Sequence, residues 1–148
     1  MNQAQWMEEA LALAEEAAAG GEIPVGAVVV DRDGLIIGRG RNRRESGDPL
    51  GHAELFAIAE AARNIGDWRL EGTTMVVTLE PCAMCAGAIS LARVARLIYA
   101  APDPKGGAVE HGPKFFEQKT CHHRTKFARA GDAEPSSKLL KEFFRERR

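Results

Sequence analysis

No stretch of the 148-residue chain approaches the ~18 consecutive apolar residues that a membrane-spanning helix needs. The first ten residues, Met1 to Ala10, lack the basic start of a secretory signal. A cytoplasmic protein without membrane association is therefore expected. No internal repeat, linker or low-complexity segment interrupts the sequence, and its length suits a single domain spanning residues 1–148. Net charge is almost absent: 20 basic and 21 acidic side chains leave -1, which argues against strong general binding to nucleic acid. Cysteine is scarce and odd in number, three in all. Two of the three form the pair Cys82-x-x-Cys85. In a cytosolic chain such a pair points to metal binding or redox chemistry rather than to a structural disulfide.

Apolar residues make up 45% of the chain, enough for a core and too many for a disordered segment. The small net charge hides an uneven distribution. Residues 1–40 hold two basic and seven acidic side chains, whereas residues 114–148 hold ten basic and five acidic ones. The C-terminal region is thus a candidate for meeting an anionic partner, with a solvated charged helix face as the simpler explanation.

Residues 3–19 predict a helix, with Trp6, Ala10, Leu13 and Ala17 at helical spacing and Gly20-Gly21 at its end. Pro24–Val30 and Leu35–Gly38 are apolar runs joined by the turn Asp31-Arg32-Asp33-Gly34, which predicts a hairpin. Arg39–Gly51 is polar and rich in turn residues, and predicts a loop. His52–Asn64 has helical periodicity through Leu55, Ile58, Ala59 and Ala62. A strand at Thr73–Leu79, a small-residue helix at Ala83–Ala92 and a strand at Val94–Ala100 follow. Pro102–Gly107 predicts a loop, Arg124–Ala130 a fifth strand, and Ser136 or Ser137 the cap of a last helix whose Leu139/Phe143 and Leu140/Phe144 pair at i, i+4. The alternation of strand and helix in mid-chain predicts parallel strands with right-handed crossovers, so an α/β fold. Helices in such a sheet start at the carboxyl ends of strands, where functional sites collect. The helices opening at His52 and near Cys82 should share that edge.

The motifs of chemical interest stand at those two openings. Cys82 and Cys85 can grip one ion, and a helix N-terminus favours the thiolate form. A thioredoxin-like redox pair or two buried cysteines would explain the spacing too. Neither needs His52-Ala53-Glu54 at the neighbouring helix start. One imidazole and two thiolates leave a fourth tetrahedral position for water, as at a catalytic zinc centre, where the pKa of that water falls towards ~7. Glu54 is then the candidate group for protonating a ring nitrogen and later a leaving amine. Residues i and i+2 do not face together along a regular helix, so the first turn should meet the metal end-on. The combination H-x-E … P-C-x-x-C is the signature of the zinc deaminases that act on nucleobases.

Ile23-Pro24-Val25-Gly26-Ala27, Gly51-His52-Ala53-Glu54, Thr78-Leu79-Glu80-Pro81-Cys82-Ala83-Met84-Cys85-Ala86-Gly87-Ala88 and Phe143-Phe144-Arg145-Glu146-Arg147-Arg148 extend the signature over nearly the whole chain. In these stretches the sequence resembles the bacterial tRNA-specific adenosine deaminases of the cytidine/deoxycytidylate deaminase superfamily. The resemblance implies a cytidine-deaminase-like three-layer α/β/α fold with a mixed, roughly five-stranded sheet. It implies one Zn2+ per subunit, held by His52, Cys82 and Cys85, with Glu54 catalytic. It further implies hydrolysis of adenosine to inosine at the tRNA wobble position by a homodimer that binds the anticodon arm. Asn42 matches a family asparagine that contacts the target nucleoside, Asp103 a family acidic residue in the substrate loop, and His123 and Arg124 a basic pair that approaches the nucleic acid backbone. Phe144, in the terminal aromatic and basic motif, joins them as a substrate contact. Without the resemblance, Asn42 would be read as a turn residue and Asp103 as a loop cap. Cys121 is expected to be a structural or incidental thiol.

Two other functions fit the same motifs. The zinc centre would serve a deaminase of a free base or nucleoside, of guanine or cytosine type, which has no need of a basic C-terminal surface. A non-catalytic zinc protein would have no need of Glu54.

Overall fold

A computed structural model describes residues 1–147; Arg148, the last residue of the terminal basic motif, lies outside the described residues. Helix α1 (Gln3–Ala19) is opened by Asn2, whose side chain accepts the Gln5 amide while the Gln5 side chain accepts the Asn2 amide. This reciprocal capping satisfies donors that a helix start leaves unpaired. Met7, Ala10, Ala14 and Ala17 line its buried face. Strand β1 (Gly26–Val30) turns through Asp31–Gly34 into β2 (Ile36–Arg41). The Asp31 carboxylate accepts the Asp33 and Leu35 amides in that turn. Then follow α2 (Ala53–Ile65), β3 (Thr74–Leu79), α3 (Ala83–Leu91), β4 (Arg96–Ala101), a short 3-10 turn (Phe115–Glu117), β5 (Lys126–Arg129) and α4 (Glu134–Glu146).

The sheet order is β2-β1-β3-β4-β5. Strand β1 runs antiparallel to both its neighbours, while β3, β4 and β5 run parallel. Two antiparallel steps give β2 the direction of β3, so the carboxyl ends of β2, β3 and β4 meet at one edge. The sheet is mixed and five-stranded, in the cytidine-deaminase-like form expected from the sequence. Side chains alternate across it. Ala27, Val29, Met75, Val77, Leu97 and Tyr99 face α2 and α3; Val28, Val30, Val76, Ile98 and Ala100 face α1. Helix α4 packs against α1 and β4, completing the third layer. Among the described residues no helix is long and apolar enough to cross a membrane.

Two local expectations are corrected. Strand β2 continues to Arg41, through residues predicted as loop, because Arg39, Gly40 and Arg41 pair with Val28, Ala27 and Gly26. On this edge strand the glycines serve packing: a Cβ at Gly38 or Gly40 would collide with the carbonyl oxygens of Ala57 or Ala53. The absent side chains let α2 lie against the sheet. Neither Ser136 nor Ser137 caps α4, which begins at Glu134 after Ala133 with Pro135 in its first turn. Ser136 is buried and its hydroxyl donates to the Thr78 carbonyl at the end of β3, so it ties the helix to the sheet.

Candidate metal and deaminase site

His52 and Cys82 are the N-caps of α2 and α3, both with extended backbone. Neither side chain caps its own helix. Both turn instead towards a common point beyond the sheet edge, where Cys85, one turn into α3, joins them. The ligand atoms of His52, Cys82 and Cys85 all lie within 4.8 Å of one another. His52 Nδ1 stands 3.6 Å from Cys82 Sγ and 3.5 Å from Cys85 Sγ. Zinc–sulfur and zinc–nitrogen bonds meeting at a tetrahedral angle separate the two donor atoms by about 3.6 Å. The group therefore fits one tetrahedral zinc ion, with imidazole and thiolate donors of suitable type.

The surroundings favour that donor set. Cys82 is held down to about 5, first by a hydrogen bond from the Cys85 thiol and, against burial, by the Cys85 and Met84 amides and by His52. The amides are those of a helix start, which stabilise a thiolate. Cys85 is pushed up by the same shared hydrogen bond and by burial. A metal ion bound there would take the place of that shared proton and let both sulfurs bind as thiolates. Glu54 follows in the first turn of α2 and is buried. Burial pushes its carboxyl up to about 7, with the neighbouring Cys82 charge acting in the same direction.

A cavity of about 230 Å³ opens onto this group. Ile23, Val25 and Leu79 form apolar walls, while Asn42, Arg44, His52, Glu54, Glu80, Cys82 and Asp103 supply the polar ones. A few convergent polar groups in a mostly apolar cleft are what orient a small ring system. Asn42 is buried, and its Oδ1 accepts the Ala53 amide at 3.0 Å. That bond fixes the oxygen on the helix and leaves the NH2 end for a ligand. The Asp103 carboxylate accepts the Lys105 and Gly106 amides at 3.2 and 3.0 Å, which sets it on the rim.

Of the five residues expected at the substrate, the cavity gathers Asn42 and Asp103 only. His123 is half-buried, and its carbonyl accepts the Ser90 hydroxyl at 2.7 Å. The Arg124 guanidinium donates to the carbonyls of Phe116 and Gln118 and so pins the 3-10 turn. Phe144 lies on the outer face of α4, 48% exposed, beside the buried Phe143. Sequence reasoning passed over the apolar walls, Arg44 and Glu80. Arg44 stands two residues beyond Asn42, and that proximity was the available signal. Cys121 is buried away from the metal group, against the Ser90 hydroxyl and the His123 carbonyl.

Residues 1–101 match the cytidine and deoxycytidylate deaminase zinc-binding region. The chain belongs to that family. It is a zinc-dependent deaminase, and so a hydrolase. The tRNA-specific adenosine deaminase of Agrobacterium fabrum is 49% identical over 144 residues, which cover 97% of this chain and 94% of that protein. A solved structure from studies of A-to-I editing by tRNA:A34 deaminases at the wobble position is 47% identical, with a TM-score of 0.90 over 93% of this chain and 100% of that one. A guanine deaminase from Bacillus subtilis is 33% identical, with a TM-score of 0.66 over 99% and 94% of the two chains.

Proposed function

We propose that the chain hydrolyses adenosine to inosine at the wobble position of tRNA, releasing ammonia. The observation that carries the reading is the shared cavity: the buried Glu54 carboxyl, the Asn42 amide and the Asp103 carboxylate surround one opening onto the His52–Cys82–Cys85 group. The similarity to tRNA-specific adenosine deaminases over nearly the whole chain supports the substrate.

Bound zinc supplies the Lewis acidity that makes water nucleophilic at neutral pH. His52, Cys82 and Cys85 would hold it, at two helix starts that border the cavity. Glu54 takes one proton from the attacking water and gives it to the purine ring nitrogen, then carries the second proton of that same oxygen to the departing amine, so that the base keeps a carbonyl and a ring N–H and ammonia leaves. Its burial suits this work, because a carboxyl near the operating pH can both take and give the proton. Ile23, Val25 and Leu79 receive the faces of the flipped base and exclude water. Asn42 and Asp103 bind the nucleoside, and Arg44 stands at the mouth where the flanking phosphates pass. His123, Phe144 and the basic residues of α4 lie outside the cavity, so their role is to meet the anticodon arm beyond the target base. Arg124 contributes by holding the backbone at Phe116 and Gln118.

The active form in this reading is a homodimer in the cytoplasm. Leu91, at the end of α3, and Trp68, just past α2, are 71% and 53% exposed and are the apolar side chains a second copy would cover.

The test is incubation with an unmodified anticodon stem-loop and, separately, with free adenine, guanine and cytosine, reading inosine and ammonia. Inosine at the wobble position with inert free bases is the expected result. The guanine deaminase at 33% identity favours the second reading, and preference for free guanine would establish it.

A further inference from the structure

Immediately after β3, and two residues before the first cysteine ligand, stands Glu80. Its backbone amide donates to the Ala101 carbonyl at 2.8 Å, and its side chain is wholly buried. Oε1 accepts the Asp103 amide at 3.0 Å and faces His111 Nδ1 at 2.7 Å. Oε2 accepts the amides of Val109, Glu110 and His111 at 3.1, 3.0 and 3.2 Å. A carboxylate has about four lone-pair sites, so five donors saturate it. The segment that they gather, 102–111, has no helix or strand of its own. Gly107 lies against the carboxylate: a Cβ there would stand 2.5 Å from Glu80 Cδ and 2.6 Å from the Asp103 carbonyl oxygen.

We propose that Glu80 is a positioning residue of the deaminase: its buried carboxylate gathers the 103–111 segment and so places Asp103 at the rim of the cavity. The bond to the Asp103 amide links the strand that leads to the metal group with the residue that binds the nucleoside. This rests on the reading of Asp103 given above. An ordinary structural carboxylate would stabilise the chain without bearing on KM. One acting through Asp103 raises KM and leaves kcat little changed, because it governs binding rather than proton transfer.

Glu80→Gln keeps one oxygen and turns an NH2 group towards N–H donors. Three measurements follow: zinc content, hydrogen exchange of the metal-loaded protein, and stem-loop kinetics alone and on an Asp103→Ala background. One zinc per chain should remain. The amides of Asp103, Val109, Glu110 and His111 should exchange at least tenfold faster. KM should rise about tenfold, and by less than twofold once Asp103 is alanine, since coupled residues lose the same interaction once. Unchanged exchange, a loss confined to kcat, or an equal tenfold loss on both backgrounds would overturn the proposal. Should Glu80→Gln fail to fold, Gly107→Ala displaces the same contact and carries the same three measurements. If the wild-type chain acts on no RNA, the tRNA reading falls, while the exchange arm, made without substrate, still decides whether Glu80 holds the segment.

Discussion

Gly40 on β2 passes so close beneath the first turn of α2 that a Cβ there would collide with the carbonyl oxygen of Ala53, the residue between His52 and Glu54. Backbone oxygen cannot rotate away as a side chain can. Gly40→Ala must therefore push α2 from the sheet, and with it His52 and Glu54. Overpacking of this kind costs about 1–3 kcal/mol. A lowered melting temperature together with reduced zinc content is expected, read by calorimetry and atomic absorption. Full zinc content in the variant would show that α2 adjusts without moving its N-terminus.

Glu54 is not one of the three residues that could hold the metal, yet its buried carboxyl lies beside them in the same cavity. Glu54→Ala should keep one zinc per chain and lose ~10²- to 10⁴-fold in turnover, the usual contribution of a general acid–base group. Loss of zinc, or near-normal turnover, would remove Glu54 from that role. Metal analysis beside single-turnover kinetics distinguishes the outcomes.

The three cysteines should separate cleanly. Cys82→Ala or Cys85→Ala should lower zinc content and stability together, since metal binding energy is shared with folding. Cys121 is buried against Ser90 and the His123 carbonyl rather than against the metal group. Cys121→Ala should therefore keep its zinc and lose about 1 kcal/mol of stability, a typical value for a point change. Zinc loss in the Cys121 variant would show that the ligand set is misassigned.

What the sequence made legible follows from packing and motif chemistry. Strands β1, β3 and β4 are buried on both faces and read as apolar runs, so their existence and the helices between them were plain. The metal group was legible because His52, Cys82 and Cys85 each stand at a helix start, where spacing in sequence translates into closeness in space. The end of β2 was not, because Arg39-Gly40-Arg41 on an edge strand has the composition of a loop. Glu80 was not, because it looks like one more acidic residue beside the motif. Its importance comes from donors on residues 103–111, mostly backbone amides, which carry no trace in residue type.

Glu110 joins the Tyr99 hydroxyl to the Arg129 guanidinium, the latter at 2.9 Å, across the outer end of the same segment. The hydrogen bond from Tyr99, then those from Arg129, hold its carboxyl below the usual range. A carboxyl with a depressed folded-state pKa adds stability above its unfolded value, ~4.3 for glutamate, and loses it as pH falls through the folded value. The melting-temperature difference between wild type and Glu110→Gln should therefore be largest near neutral pH and shrink below about pH 4. A difference independent of pH would mean that the charge on Glu110 adds nothing.

Lys138, Lys141 and Arg145 are exposed and stand at i, i+3 and i+7, so they share one face of α4. Arg147 differs: its guanidinium folds back over the Phe143 ring at 3.7 Å and donates to the Phe143 carbonyl, so it is partly spent on the helix itself. If the shared face meets phosphates of the anticodon arm, each contact releases counterions, and binding weakens as salt rises. Replacing Lys138, Lys141 and Arg145 by alanine leaves the buried Phe143 and every residue of the cavity in place. Zinc content and the melting curve should therefore stay close to wild type. The slope of log affinity for a stem-loop against log salt should fall by up to about 2, at ~0.7 for each phosphate contact on a single strand. Measuring that slope by fluorescence anisotropy separates two surfaces. An unchanged slope would make the basic face of α4 a solvated one and move the phosphate contacts to the Arg44 side of the cavity mouth, where the same measurement on Arg44→Ala should then show the loss.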